Sequence, residues 1–266
     1  MVTTLFLLLA THCLSAFSIF ILVPLYIYPE TPSTWQPLLS AISASPSVRW
    51  QIIVNPASGP GTNSTNPYPD SSYTAAIASL NEQPNVQTIG YIDSAYGNTA
   101  VSSIETQIDA YAQWASYTAQ NISLSGIFFD DMNQSTALYD FYDSIATYTR
   151  QHIKSASTPT VVFNPGTPST TADEQKFFSY SDTMLEFENP ASNYKNQTTI
   201  DTIPKAYWNK SAIVLHDFRE SESVLDSWVQ TMKADGIQSV YFTSDPSYNA
   251  LNGTLLTQLA TAVAGS

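Results

Sequence analysis

"SGIFFDDMNQS" (residues 125–135) runs a glycine and three large apolar side chains straight into two adjacent aspartates. A continuous apolar run of this length is the pattern of a strand buried on both faces, as in parallel sheets covered by helices. Similar runs are "IFILVPLYIY" (19–28), "RWQIIVN" (49–55), "VQTIGYID" (86–93), "PTVVFN" (159–164), "DTMLEFE" (182–188), "SAIVLHD" (211–217) and "SVYFTSD" (239–245). Longer stretches with apolar residues at helical spacing lie between them. In 102–120 these residues are Ile104, Ile108, Tyr111 and Ala115. In 135–153 they are Leu138, Phe141, Ile145 and Tyr148, with Ser135 as N-cap, and 221–236 ends in Gly236, a residue suited to a left-handed C-cap. Successive strands start roughly 25–37 residues apart, the size of a βα unit. Eight such units predict a single-domain α/β fold, a (β/α)8 TIM-type barrel over residues 18–266. An open doubly wound sheet is the other arrangement of such units. It calls for a glycine-rich phosphate loop after the first strand, and "YIYPETPS" (26–33) has no glycine.

Composition narrows the partners. Hydrophobic residues are 43% of the 266, enough for a sizeable core, whereas charged residues are only 12%. The 22 acidic residues outnumber the 9 basic ones, for a net charge of -13. That balance argues against nucleic acid and anionic membrane surfaces and suits a neutral or cationic partner. A single cysteine, Cys13, provides neither a disulfide framework nor a Cys-based metal site. "LFLLLATHCLSAF" (5–17) reads as the apolar core of a signal peptide over residues 1–17, with Ala16 near its end. The basic residues that precede such a core are missing, so an uncleaved anchor, or a buried first strand behind a disordered start, stay as alternatives. Asn-x-Ser/Thr sequons at Asn63, Asn121, Asn133, Asn196, Asn209 and Asn252 fit a secreted or wall-associated chain. The expectation is a monomer with no stable membrane association once the leader is removed.

The polar residues cluster at the C-terminal ends of the expected strands: Asn55, Asp93, Asp130 with Asp131, Asn164, Glu186 with Glu188, His216 with Asp217, and Asp245. In an eight-fold barrel that end carries the active site. Side chains alternate along a strand, so Asp130 shares a face with Gly126 and Phe128, and Asp131 points the other way. The two aspartates should therefore have different jobs. Glu188, two strands on, is the natural partner. Backbones two strands apart lie on the order of 10 Å apart, and inward side chains close this to the ~5–9 Å that separates paired carboxylates in glycosidic cleavage. The bland alternative, acids acting as strand-end caps or in ion pairs, is limited by the 9 basic residues available. Glu186 has the parity of Glu188 and would sit one layer deeper, with a structural or exposed role. His216 reads as a substrate contact or a satisfied structural group. The only other histidines are His12 and His152, so a His-rich zinc site is not expected, and no Gly-x-Ser-x-Gly elbow appears. Tyr26, Tyr28, Tyr91 and Tyr96 fall near strand ends, where aromatic faces can stack on sugar rings.

The motifs "VPLYIYP" (23–29), "IIVNPASGPG" (52–61), "GYIDSAYG" (90–97), "GIFFDDM" (126–132), "FNPGT" (163–167) and "FEN" (187–189) together resemble the spherulin-4 family. The resemblance covers nearly the whole chain from residue 20 on. It implies a (β/α)8 barrel in a secreted microbial, often fungal, protein. It also implies an endo-acting glycoside hydrolase that cuts α-1,4-linked N-acetylgalactosamine in galactosaminogalactan, a biofilm exopolysaccharide, without a cofactor. Carried over by position, the family's strand-4 acid falls on Asp130 and its strand-6 glutamate on Glu188. The expected roles are nucleophile for Asp130 and general acid/base for Glu188 in a retaining mechanism, with Asp131 supporting. Tyr26, Asn55, Tyr91, Asp93, Tyr96, Asn164 and His216 are the expected substrate contacts. Asp131 stands where the family often has Glu, and Ile92–Asp93 where it often has an aromatic or His followed by Thr; these departures bear on which sugar is accepted. Two other readings stay open: a non-catalytic glycan-binding wall or spore-coat protein, and a glycosidase for another galactose or amino-sugar polymer.

Overall fold

The structure is a computed structural model that describes residues 19–61 and 66–265. The leader expected over 1–17, with His12 and Cys13, and the sequon at Asn63 lie outside the described residues. Eight parallel strands close into a barrel in chain order: β1 (Phe20–Leu25), β2 (Trp50–Val54), β3 (Val86–Asp93), β4 (Gly126–Asp130), β5 (Thr160–Phe163), β6 (Thr183–Pro190), β7 (Ser211–His216) and β8 (Ser239–Phe242). Pairing of Phe20 with Ser239 completes the ring. The helices are α1 (Gln36–Ala44), α2 (Ser71–Asn81), α3 (Val101–Gln113), α4 (Tyr139–His152), α5 (Ala172–Gln175), α6 (Gln197–Ile200), α7 (Glu222–Asp235) and α8 (Gly253–Ala264). The single-domain barrel read from the apolar runs is what the chain forms.

The opening stretch shows why. Gly126 starts β4 where a Cβ would meet the Thr160 carbonyl oxygen of β5 at 2.1 Å, so only glycine fits. Ile127 and Phe129 face outward to the helices: Phe129 packs on Phe163, which in turn packs on Tyr142 of α4. Phe128 faces inward, 6.1 Å from the ring of Tyr91 on β3. A strand wetted by neither face needs apolar residues at every position.

Two helical stripes differ from the expected ones. On α4 the fully buried positions are Tyr142, Ile145, Ala146 and Thr149, with Phe141 and Tyr148 half-buried at its edge. On α3 the helix stops at Gln113, and Trp114, not Ala115, enters the core and donates its indole N–H to the Pro67 carbonyl. The indole buries more apolar area than a methyl group. Ser135 caps a 3-10 turn over Thr136–Leu138 that leads into α4. Gly236 closes α7 with φ 83°, as expected.

Candidate active site

The mouth of the barrel is built from strand ends and the loops that follow them. Asn164, the residue after β5, is the centrepiece. Its Nδ2 donates to Asp130 Oδ1 at 2.7 Å and to Glu188 Oε2 at 2.8 Å. The reverse orientation would set a carbonyl oxygen against two carboxylates, so the chemistry dictates which way the amide faces. Because both oxygens bond one nitrogen, they lie no more than about 5.5 Å apart, closer than the carboxyl pairs of inverting glycosidases. Asn164 Oδ1 is buried and has no partner among the described residues.

Tyrosines complete the cradle. The Tyr91 hydroxyl is in hydrogen-bonding reach of Asp130. Tyr248 donates to Glu188 Oε1 at 2.5 Å. Tyr26 bridges the two, with ring centroids 5.4 Å from Tyr91 and 5.9 Å from Tyr248. Burial first, and then the neighbouring carboxylates, raise all three phenols well above their ordinary value, so they stay protonated donors. Burial also pushes Asp130 up to about 6. The Glu188 charge adds to this, while hydrogen bonds from Tyr91 and Asn164 oppose it.

Asp131 does not share this cradle. It turns out of the strand with φ 51°, and its side chain is held by the Tyr96 hydroxyl. Its carbonyl accepts from Tyr96 N at 2.7 Å and from Ser94 Oγ at 2.9 Å. Asp93 accepts from the Ala95 backbone N–H at 2.6 Å and so shapes the turn that carries Tyr96. Adjacent aspartates thus serve two ends, one facing the cradle and one fastening the rim. His216 is at the far edge, with Nδ1 2.9 Å from Asp217 Oδ2 and its ring 6.4 Å from that of Tyr248. Asn55 stays apart from the carboxylates and accepts from Gly59 N at 3.1 Å, bracing the loop after β2. Beside the cradle a shallow groove of about 460 Å³ runs between Tyr96, Asn133, Gln134, Pro165, Thr167 and Glu174.

One residue of the cradle escaped sequence reasoning. Tyr248 lies six positions beyond β8, one of sixteen tyrosines. The signal was Asp245, whose carboxylate accepts from Ser247 N and Asn249 N and so folds the turn that presents Tyr248. Glu186, expected in a structural or exposed role, takes the structural one. The ladder between β6 and β7 shifts register between Leu185 and Phe187, so strand parity does not carry through. Glu186 is fully buried, which corrects the exposed alternative, and it accepts from Ser169 N and Ser169 Oγ, each at 2.7 Å.

The fold and site define a closed (β/α)8 barrel with paired, tyrosine-cradled carboxylates at its C-terminal mouth, the end where barrels of this kind carry their active sites. The sequence pattern described as Spherulation-specific family 4 matches residues 20–263, and the chain belongs to that family. It is 33% identical over 177 residues to Spherulin-4 of Physarum polycephalum, which covers 66% of this chain and 46% of that protein; the chain thus spans about half the relative's length. Aspergillus clavatus Sph3, solved in complex with GalNAc, superposes with a TM-score of 0.82 at 25% identity, over 93% of this chain and 98% of that one. A family GH18 chitinase from Cycas revoluta shares the fold at a TM-score of 0.58 and 9% identity, over 92% of this chain and 100% of the other.

Proposed function

We propose that this protein is a secreted endo-acting glycoside hydrolase that cuts α-1,4-linked N-acetylgalactosamine or galactosamine in an exopolysaccharide such as galactosaminogalactan. The observation that carries this reading is the Asn164 amide shared between Asp130 and Glu188, which fixes two carboxylates at a spacing suited to a retaining double displacement. Asp130 attacks the anomeric carbon and forms a glycosyl ester. Glu188 gives its proton to the departing glycosidic oxygen, then takes one from the water that hydrolyses the ester. Asp130 suits the first role because Tyr91 and Asn164 donate to its ionised form and oppose the burial that raises it. Glu188 is oriented for the second role by Tyr248, which donates to its Oε1 and leaves the carboxyl group facing the cradle. The open groove beside the pair suits a chain bound in its middle. Likeness to Sph3, whose complex holds GalNAc, supports the sugar class. The acidic balance of -13 suits a polymer bearing free amines.

Product analysis by mass spectrometry tests this. Purified protein and its Asp130→Asn variant are incubated with galactosaminogalactan. Oligosaccharides from the wild type alone are the expected result. Polymer that co-sediments with both proteins and stays intact would make this a binding protein instead.

A further inference from the structure

The loop that carries Asn164 is tied down by a carboxylate the proposed mechanism does not use. Residues 164–171 run over the end of β6 and touch it repeatedly. Gly166 N donates to the Leu185 carbonyl at 3.1 Å, and Glu188 N donates to the Gly166 carbonyl at 3.2 Å. Between those two bonds the ladder is broken by the extra residue, Glu186. A bulge of this kind re-aims a side chain that regular pairing would have placed elsewhere. Here it buries the Glu186 carboxylate completely and sets it under Ser169, whose N–H and Oγ–H both donate to it. Ser169 Oγ in turn accepts from Gln134 Nε2 at 2.5 Å, which links the loop after β4 to the loop after β5. Glu186 therefore anchors the piece of backbone that holds Asn164, and through Gln134 one wall of the groove.

We propose that Glu186 is a positioning residue: its buried carboxylate, caught on Ser169, holds the 164–171 loop so that the Asn164 amide bridges Asp130 and Glu188. A buried carboxyl is a costly way to fasten a loop, since burial pushes Glu186 up to about 7 against the pull of its two Ser169 hydrogen bonds. What it supplies at the base of the reacting pair is a fixed geometry for the loop. The consequence for rate rests on the hydrolase reading above; the consequence for the amide does not.

The test uses two variants, because Glu186→Gln alone can disturb folding. Glu186→Gln keeps the shape but replaces one acceptor by a donor. Ser169→Ala removes the hydroxyl link and leaves the backbone. In nitrogen-edited NMR of the full chain, the Asn164 side-chain amide is assigned by its loss in Asn164→Asp. In both variants, held well below their melting midpoints, that resonance should move toward that of an unbonded amide. kcat on polymer should fall on the order of 10- to 100-fold with KM little changed, the mark of displaced reacting groups rather than lost binding. An Asn164 resonance unmoved in both folded variants overturns the proposal, whatever the rates. A wild type without turnover sinks the hydrolase reading alone, because the amide resonance still decides the role of Glu186.

Discussion

The two ends of the barrel are built to different standards. At the C-terminal rim the backbone is strained. Among the described residues, every non-glycine residue with a left-handed backbone lies in a loop that follows a strand: Ser58, Ala95, Tyr96, Asp131, Asn196, Asp217 and Tyr248. Such conformations cost on the order of 1–3 kcal/mol each and persist only where the surroundings enforce them. At the N-terminal end the residue with positive φ is Gly236, where no side chain resists. That end instead has a polar pit of about 330 Å³, lined by Gln51, Thr160, Thr183 and Gln238 among others. The Gln51 Oε1 atom is buried there with no partner among the described residues. The rim gives up stability and gains converging groups: Tyr248 on Glu188, Tyr96 on Asp131, Asn164 on both acids. The pit gives up a hydrogen bond and no reactive groups converge on it. Sacrifice of local stability marks a working site only where it positions chemistry.

The sharpest test of this contrast is at the rim. Asp130→Asn and Glu188→Gln should each lower turnover on polymer by on the order of 1,000-fold or more, since each removes a reacting group. Asp130→Asn should also raise stability at neutral pH. Asp130 has its folded value raised to about 6, from an ordinary value of 3.8. A raised acid costs nothing below the unfolded value, costs progressively more between about 4 and 6, and has a constant cost above. Urea denaturation across pH 4–7 should show the variant gaining on the wild type in that window, by about 2 kcal/mol at the top. A variant that is inactive because it is less stable breaks the comparison.

The same value sets the rate profile. If Asp130 attacks, it must be ionised, and kcat/KM should fall about tenfold per unit below pH 6. A profile that instead falls above pH 6 would mean that Asp130 donates the proton and Glu188 attacks.

How much of this was legible beforehand depends on whether the information is local. The barrel was legible because a strand buried on both faces announces itself in its own residues, as "GIFFD" does. Asp130, Glu188 and Asn164 were legible because they end such strands. Strand parity also separated Asp130 from Asp131, although a left-handed turn at Asp131 completes the separation. The structural role of Glu186 could not be told from an exposed one, because its burial depends on a register shift between β6 and β7, which pairing partners distant in sequence decide. Tyr248 was missed because loop conformation, not periodicity, delivers it. The stripe on α4 was read one position off because tyrosine and threonine, Tyr142 and Thr149, occupy places that a hydropathy pattern assigns to others.

A smaller effect is expected at Tyr248. Tyr248→Phe keeps the ring that packs on Tyr26 and removes the hydroxyl that donates to Glu188. Loss of one donor to a reacting carboxylate should reduce kcat on the order of 10-fold. KM should stay near its wild-type value, because the ring contact is kept. A kcat equal to that of the wild type would remove this hydroxyl from the reacting machinery.

The smallest effect is expected at the other end, and it decides whether the contrast between the two ends is real. Gln51→Met keeps the length of the side chain and removes an acceptor that has no protein partner. An unsatisfied buried polar group costs about 1–3 kcal/mol, part of which the apolar replacement recovers. Urea unfolding should show a gain of about 1 kcal/mol, read as a higher midpoint at unchanged slope. kcat and KM should stay at their wild-type values, because no reacting group lies at this end. A loss of stability would mean that the pit is hydrated and its amide satisfied by ordered solvent. A loss of turnover would mean more: the floor and the mouth would then be coupled through the inward layers of the barrel, and the rim could no longer be treated as the only end of the molecule shaped by its chemistry.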